Sequence, residues 1–231
     1  MVKCLLSRED LAGHIDHTLL KPDATPFDIT KACHSAMLYG FKSVCINPCY
    51  IPLVVKELSG SKVLVCTVIG FPLGANSTEI KALEASAAVQ AGAAEIDMVM
   101  NIGFLKSGLL TQVQNDLVRV VTAAKRENAR VVVKVILETS LLTEHEKVTA
   151  CRLAVEAGAD FVKTSTGFGK GGATIEDVML MRKTVGPYFG VKAAGGIRDL
   201  QTAVKMIEAG ANRLGTSSGE SIMAEHSKAM M

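Results

Sequence analysis

The sequence predicts a closed (β/α)8 barrel, one domain over residues 1–231 with a short N-terminal extension. Three observations predict it. One junction recurs: a helix end of small residues, a glycine, then a strand. Several short runs are apolar throughout, as strands buried on both faces of a parallel sheet must be. Eight strand-like runs alternate with helical stretches along the chain.

The elements follow in order. The first run covers 15–18, and the second, 43–47, follows Met37-Leu38-Tyr39-Gly40-Phe41, the loosest copy of the junction. The third, 63–69, reads VLVCTVI without a polar break other than Thr67. A helical stretch at 78–91 ends at Gly92, and the fourth run, 95–100, follows. A helix at 109–127 leads to the fifth run, 131–137. A helix at 144–157 ends at Gly158 before 160–165, and one at 174–185 leads to 190–194. The last helix, 199–209, ends at Gly210 before 212–216. Each junction glycine suits the left-handed residue that closes a helix before a tight turn. The glycines at 40, 92, 158 and 210 are spaced 52, 66 and 52 apart. That is about two βα units of ~30 residues each, so further units must lie between them. An open doubly wound sheet is the main alternative; it needs fewer strands and a reversal of order.

Composition narrows the function. Hydrophobic residues are 48% and charged residues 21%, the balance of a soluble globular chain. The net charge of +2 is too small for a nucleic-acid surface, and 4% aromatics without tryptophan offer no base-stacking platform. No apolar run reaches the ~20 residues of a membrane span, so no membrane partner is expected. The start, MVKCLLSREDLAGHIDH, turns acidic too early for a signal peptide, and the six cysteines contain no C-x-x-C pair. A cytoplasmic protein with reduced thiols is expected.

The chemistry is carried by charged residues at the ends of apolar runs: Asp16, Asp97, Lys134, Glu138, Lys163 and Lys192. In a barrel these ends form the mouth where active sites lie. Each one singly reads equally well as half of a structural ion pair. Lys134 and Glu138 read as residues that neutralise each other or orient their neighbours. Lys163 and Lys192 cannot pair together, so a structural role requires a separate acid for each. The sharper reading is a nucleophile: a lysine desolvated beside another cation loses its proton more easily and attacks carbonyls.

The last loops read as an anion cradle. Gly195-Gly196-Ile197-Arg198-Asp199 and Gly215-Thr216-Ser217-Ser218-Gly219 each follow a strand and precede a helix. Glycine admits close backbone N–H groups, and the helix start adds its dipole. Ordinary tight turns capped by Ser or Asp are the alternative. Gly167-Phe168-Gly169-Lys170-Gly171-Gly172 matches G-x-G-x-x-G, but Lys192 stands where a dinucleotide site wants an acid. A basic loop over the substrate fits better. His14 and His17 have metal-ligand spacing without a partner set, so no metal is expected. Cys45 and Cys49 flank Ile46-Asn47-Pro48; a buried or loop thiol is the plainer reading, and a reactive thiol at the mouth, with Cys45 the candidate, the sharper one.

These segments together resemble the deoxyribose-phosphate aldolase family. The matching runs are HIDHTLL (14–20), GFPLG (70–74), EIDMVMNIG (95–103), VVVKVILET (131–139), DFVKTSTGF (160–168), VKAAGGIR (191–198) and RLGTSSG (213–219). They span nearly the whole chain in order. The resemblance implies a TIM barrel that cleaves 2-deoxy-D-ribose 5-phosphate to D-glyceraldehyde 3-phosphate and acetaldehyde, with no cofactor. It implies Lys163 as the Schiff-base lysine, and Asp97 and Lys192 as proton donors and acceptors. Gly167, Gly195, Gly196, Arg198, Gly215, Ser217 and Ser218 would bind the substrate and its phosphate, and Asp16, Cys45 and Lys134 would be supporting residues of the site. The partners expected are sugar-phosphate and aldehyde substrates and other copies of the chain, as a dimer or tetramer. Two departures stand out. Phe168 follows Gly167 where some members carry a lysine, with Lys170 two residues on, and the tail lacks a terminal tyrosine.

Overall fold

The computed structural model describes residues 6–230. Eight parallel strands close into a barrel in sequence order: β1 (Ile15–Leu19), β2 (Ser43–Ile46), β3 (Leu64–Ile69), β4 (Glu95–Val99), β5 (Val132–Ile136), β6 (Phe161–Lys163), β7 (Gly190–Ala194) and β8 (Arg213–Thr216). β1 pairs with β8 through Ile15 opposite Leu214, so there is no free edge and no reversal of order. The doubly wound alternative is thereby excluded.

Helix α1 (Arg8–Gly13) precedes β1 as the expected extension. Helices α2 (Pro26–Tyr39) and α3 (Ile51–Glu57) follow β1 and β2. Helix α4 (Thr78–Gln90) follows β3, and α5 (Ile102–Lys106) and α6 (Leu110–Glu127) follow β4. Helices α7 (Glu144–Glu156), α8 (Ile175–Val185), α9 (Leu200–Glu208) and α10 (Gly219–Ala229) follow β5 to β8. Local chemistry starts them. Thr25 with Asp28, and Thr143 with Glu146, form reciprocal capping boxes, each satisfying two otherwise orphaned N–H donors. The four junction glycines all have positive φ, from 74° at Gly40 to 111° at Gly210. The repeated motif is thus a repeated backbone requirement, cheap only for glycine.

Side chains alternate across each strand. Outward residues such as Val44, Ile96, Val133, Val162, Val191 and Leu214 are fully buried against the helices and form the main core. Inward residues differ. A small apolar cluster of Leu20, Cys45, Cys66 and Val68 shares the barrel interior with a charged network. Strand β6 is shorter than its 160–165 run. Beyond Lys163 the chain makes single contacts, such as Thr164 N–H donating to Lys192 O at 3.0 Å, and then leaves as a loop.

Candidate active site

Period-two alternation sets Glu95 and Asp97 of β4 on the same inward face as Lys134 of β5, Lys163 of β6 and Lys192 of β7. Asp97 lies opposite Lys134 in the β4–β5 register, and Lys163 opposite Lys192 in the β6–β7 register. Asp97 gathers all three lysines. Its Oδ1 accepts from Lys134 Nζ at 2.8 Å. Its Oδ2 accepts from Lys163 Nζ at 2.8 Å and from Lys192 Nζ at 2.7 Å. Lys192 Nζ also stands 2.6 Å from Asp16 Oδ2, and Lys134 Nζ 2.7 Å from Glu95 Oε2. Arg213 of β8 closes the network by donating to Asp16 and to Glu95, the latter at 2.7 Å from Nη2. Ser43 Oγ donates to Asp16 Oδ1 at 2.8 Å.

Four cations, Lys134, Lys163, Lys192 and Arg213, therefore meet three carboxylates, Asp16, Glu95 and Asp97. One positive charge has no carboxylate of its own. Burial alone would raise the pKa of Asp97, but Lys134, Lys163 and Lys192 hold it well below the usual carboxylate range. Asp16 is likewise lowered, burial being outweighed by Lys192 and Arg213. Burial would lower the lysines, yet Asp97 with Glu95 raises Lys134, and Asp16 with Asp97 raises Lys192. Both shifts favour the ammonium form of Lys134 and Lys192. Lys163 holds one hydrogen bond, to an oxygen already engaged by Lys192, and it alone of the four cations lines an open cavity.

That cavity, about 410 Å³, lies at the carboxyl ends of the strands. Gly167, Gly195, Gly196, Arg198, Gly215 and Ser217 line it, as does Thr166. Ser218 stands behind them, its N–H donating to Thr216 Oγ1 at 2.9 Å just before α10 begins. The loops need their glycines. A Cβ on Gly172 would lie 2.4 Å from Gly195 O, and one on Gly215 would lie 3.1 Å from Lys192 Cε. The G-x-G-x-x-G match therefore reflects two loops packed together rather than a dinucleotide turn. Lys170 is exposed on this loop and does not border the cavity; Phe168 does, with its ring edge-on to Phe71 at 5.2 Å.

Several expectations change. Lys134 does not neutralise Glu138: the inward face of β5 turns Lys134 toward Glu95 and Asp97. Glu138, past the strand end, instead accepts from Thr166 N at 3.1 Å. Lys163 and Lys192 share one oxygen of Asp97, and Lys192 alone has a second acid, Asp16, at 2.6 Å. Cys45 is not at the mouth but buried beneath it beside Cys66, its register partner. A hydrogen bond from Cys66 lowers the Cys45 thiol against the effect of burial, while burial first and then that bond push Cys66 well up. Cys49, not Cys45, is exposed. His14 and His17 do not converge: His14 Nδ1 lies 2.7 Å from Asp10 O, and His17 packs on Phe41. Cys45, Cys66 and Asp97 do cluster, but Lys134 Nζ already contacts Cys66 Sγ at 3.5 Å and Asp97 at 2.8 Å.

Sequence reasoning missed Glu95, Arg213 and Thr166. Glu95 is two residues before Asp97 and Arg213 two before Gly215, so the strand period would have placed both inside.

A family profile described as DeoC/LacD family aldolase matches residues 11–225. The chain belongs to this family. A deoxyribose-phosphate aldolase from Carboxydothermus hydrogenoformans is 61% identical over 219 residues, covering 95% of this chain and 96% of the relative. One from Thermococcus gammatolerans is 59% identical over 216 residues, covering 93% and 95%. The crystallised deoxyribose phosphate aldolase of Aeropyrum pernix, described as a unique tetramer, superposes with a TM-score of 0.88. It is 37% identical, with 96% of this chain and 92% of that one covered. An aldolase family on a barrel with an enclosed lysine at its mouth directs attention to carbonyl chemistry at Lys163.

Proposed function

We propose that the chain cleaves 2-deoxy-D-ribose 5-phosphate reversibly to D-glyceraldehyde 3-phosphate and acetaldehyde, through a Schiff base on Lys163. One observation carries the assignment of the nucleophile: Lys163 alone links the charged network to the cavity. Its amine, once neutral, attacks C1 of the open-chain sugar, and loss of water gives an iminium that withdraws electrons from C2. The iminium drives the retro-aldol step: a base removes the C3 hydroxyl proton, the C2–C3 bond breaks, and its electron pair enters the enamine. Glyceraldehyde 3-phosphate leaves with C3 as its aldehyde carbon. The enamine then takes a proton at its terminal carbon, and water releases acetaldehyde and the free amine.

Asp97 and Lys192 are the proton carriers in this scheme, since both bond at the oxygen that holds Lys163. Lys134 helps hold Asp97 ionised and Asp16 helps hold Lys192 charged; neither they nor Glu95 and Arg213 line the cavity. The Gly195, Gly196, Arg198, Gly215 and Ser217 loops, with Gly167, bind the phosphate, and Ser218 supports them. Binding energy there orients the reacting end over Lys163. Release of glyceraldehyde 3-phosphate, followed by a coupled dehydrogenase, tests the activity; substrate binding without release would overturn it.

One barrel domain over 1–231 accounts for this activity. Self-association as a dimer or tetramer is part of the proposal, supported by exposed apolar residues such as Leu38, Leu73 and Leu83. No helix among the described residues is long and apolar enough to cross a membrane, and the cytoplasm is the proposed compartment.

A further inference from the structure

Glu138 is the only non-glycine residue with positive φ among the described residues, at φ 54° and ψ 61°. Such a conformation persists only where its surroundings hold it, and it concentrates at functional sites. Its carboxylate is buried and pairs with no cation among the described residues. Oε2 accepts from both N–H and Oγ1 of Thr166, while Oε1 is buried without a partner. Thr166 Oγ1 in turn accepts from Phe168 N–H at 3.0 Å. Thr166, Gly167 and Phe168 all line the cavity; Glu138 does not. The same turn is fastened to the strand below, where Thr139 N–H donates to Thr164 O at 2.9 Å. Glycines admit this contact: a Cβ on Gly169 would lie 3.2 Å from the Glu138 carboxylate, and one on Gly171 2.4 Å from Ser140.

We propose that Glu138 is a positioning residue that sets the Thr166–Phe168 turn so that the turn's backbone meets the substrate phosphate. The inference rests on the aldolase reading of the cavity. Glu138 acts through Thr166 and touches no substrate. Its strained backbone aims the carboxylate along the loop; a relaxed residue would let the turn drift from the cavity wall. The effect belongs to phosphate capture and not to Schiff-base formation, because Lys163 is anchored separately by Asp97.

The test uses Glu138→Gly, Glu138→Gln and Thr166→Val. Glycine adopts the left-handed conformation without strain, so Glu138→Gly folds while losing the carboxylate. The expected result is a rise of about tenfold in KM for 2-deoxy-D-ribose 5-phosphate, the size of one lost charged contact. The inhibition constant of inorganic phosphate should rise by the same factor. The rate of borohydride trapping of acetaldehyde, which carries no phosphate, should hold. Glu138→Gln should recover most of the loss, and Thr166→Val should reproduce part of it. An equal loss with acetaldehyde, or a thermal midpoint that falls with KM unchanged, would overturn the proposal. Absence of trapping in the unaltered protein would instead sink the aldolase reading.

Discussion

Two enclosed lysines of this barrel show what distinguishes a reactive amine from a structural one. Lys81 of α4 is fully buried outside the barrel. Its Nζ pairs with Asp116 of α6 and donates to Val99 O at 3.1 Å and Gly74 O at 3.3 Å, so all three donors are filled. Nothing competes for Asp116 as a cation partner among the described residues, and Lys81 borders no cavity described above. Lys163 is almost as deeply enclosed, but it has one acceptor, shares that oxygen with Lys192, and faces open space. Burial is common to both. What differs is an unfilled donor set, a surplus of cations and access for a carbonyl.

The contrast can be broken most sharply at Lys163. Lys163→Ala should reduce turnover by about 10⁶-fold or more, the lower end of what enzymes supply. The fold should persist, because the change removes the unmatched positive charge; the coupled assay and circular dichroism check the two halves. Lys192→Arg keeps charge but changes shape beside Asp16 and Asp97. A loss of ~10²–10⁴ in kcat, typical of a removed proton carrier, is expected from steady-state kinetics.

Lys81→Met provides the converse. It leaves Asp116 buried without its cation, which should cost about 3–5 kcal/mol in urea unfolding. The kcat per folded molecule should be unchanged. The smallest effect is on pH dependence. Asp97 and Asp16 sit below their ordinary 3.8 when folded, so below that pH the unfolded chain binds more protons than the folded one. Their stabilisation is full above about 4 and is lost as pH falls through the depressed values. Urea midpoints should therefore drop steadily from pH 4 toward 2. At the other end, Lys134 and Lys192 are raised above 10.5, so their contribution is full below that and is lost only as pH rises further.

Much of this was legible because it is local or periodic. The junction glycines at 40, 92, 158 and 210 predicted a backbone sign that each one adopts, and fully apolar runs marked strands covered on both faces. Lys163 and Lys192 were visible as lysines that end such runs. The partners were not legible. Which acid Lys134 takes depends on strand register and inward orientation, which brought it to Asp97 and Glu95 instead of Glu138, four residues along. Cys45 drew attention through its sequence neighbour Cys49, while its spatial neighbour is Cys66 on the next strand. Arg213 joins β8 to Asp16 of β1, a contact made only when the barrel closes.

The most direct measurement is peptide mass mapping after acetaldehyde and borohydride are added together. An amine that attacks acetaldehyde and is then reduced retains an ethyl group. If Lys163 is the nucleophile, that mass appears on the peptide containing Lys163 and on neither Lys81 nor Lys192. An ethyl group on Lys192, or none on any peptide, would contradict the central role given to Lys163.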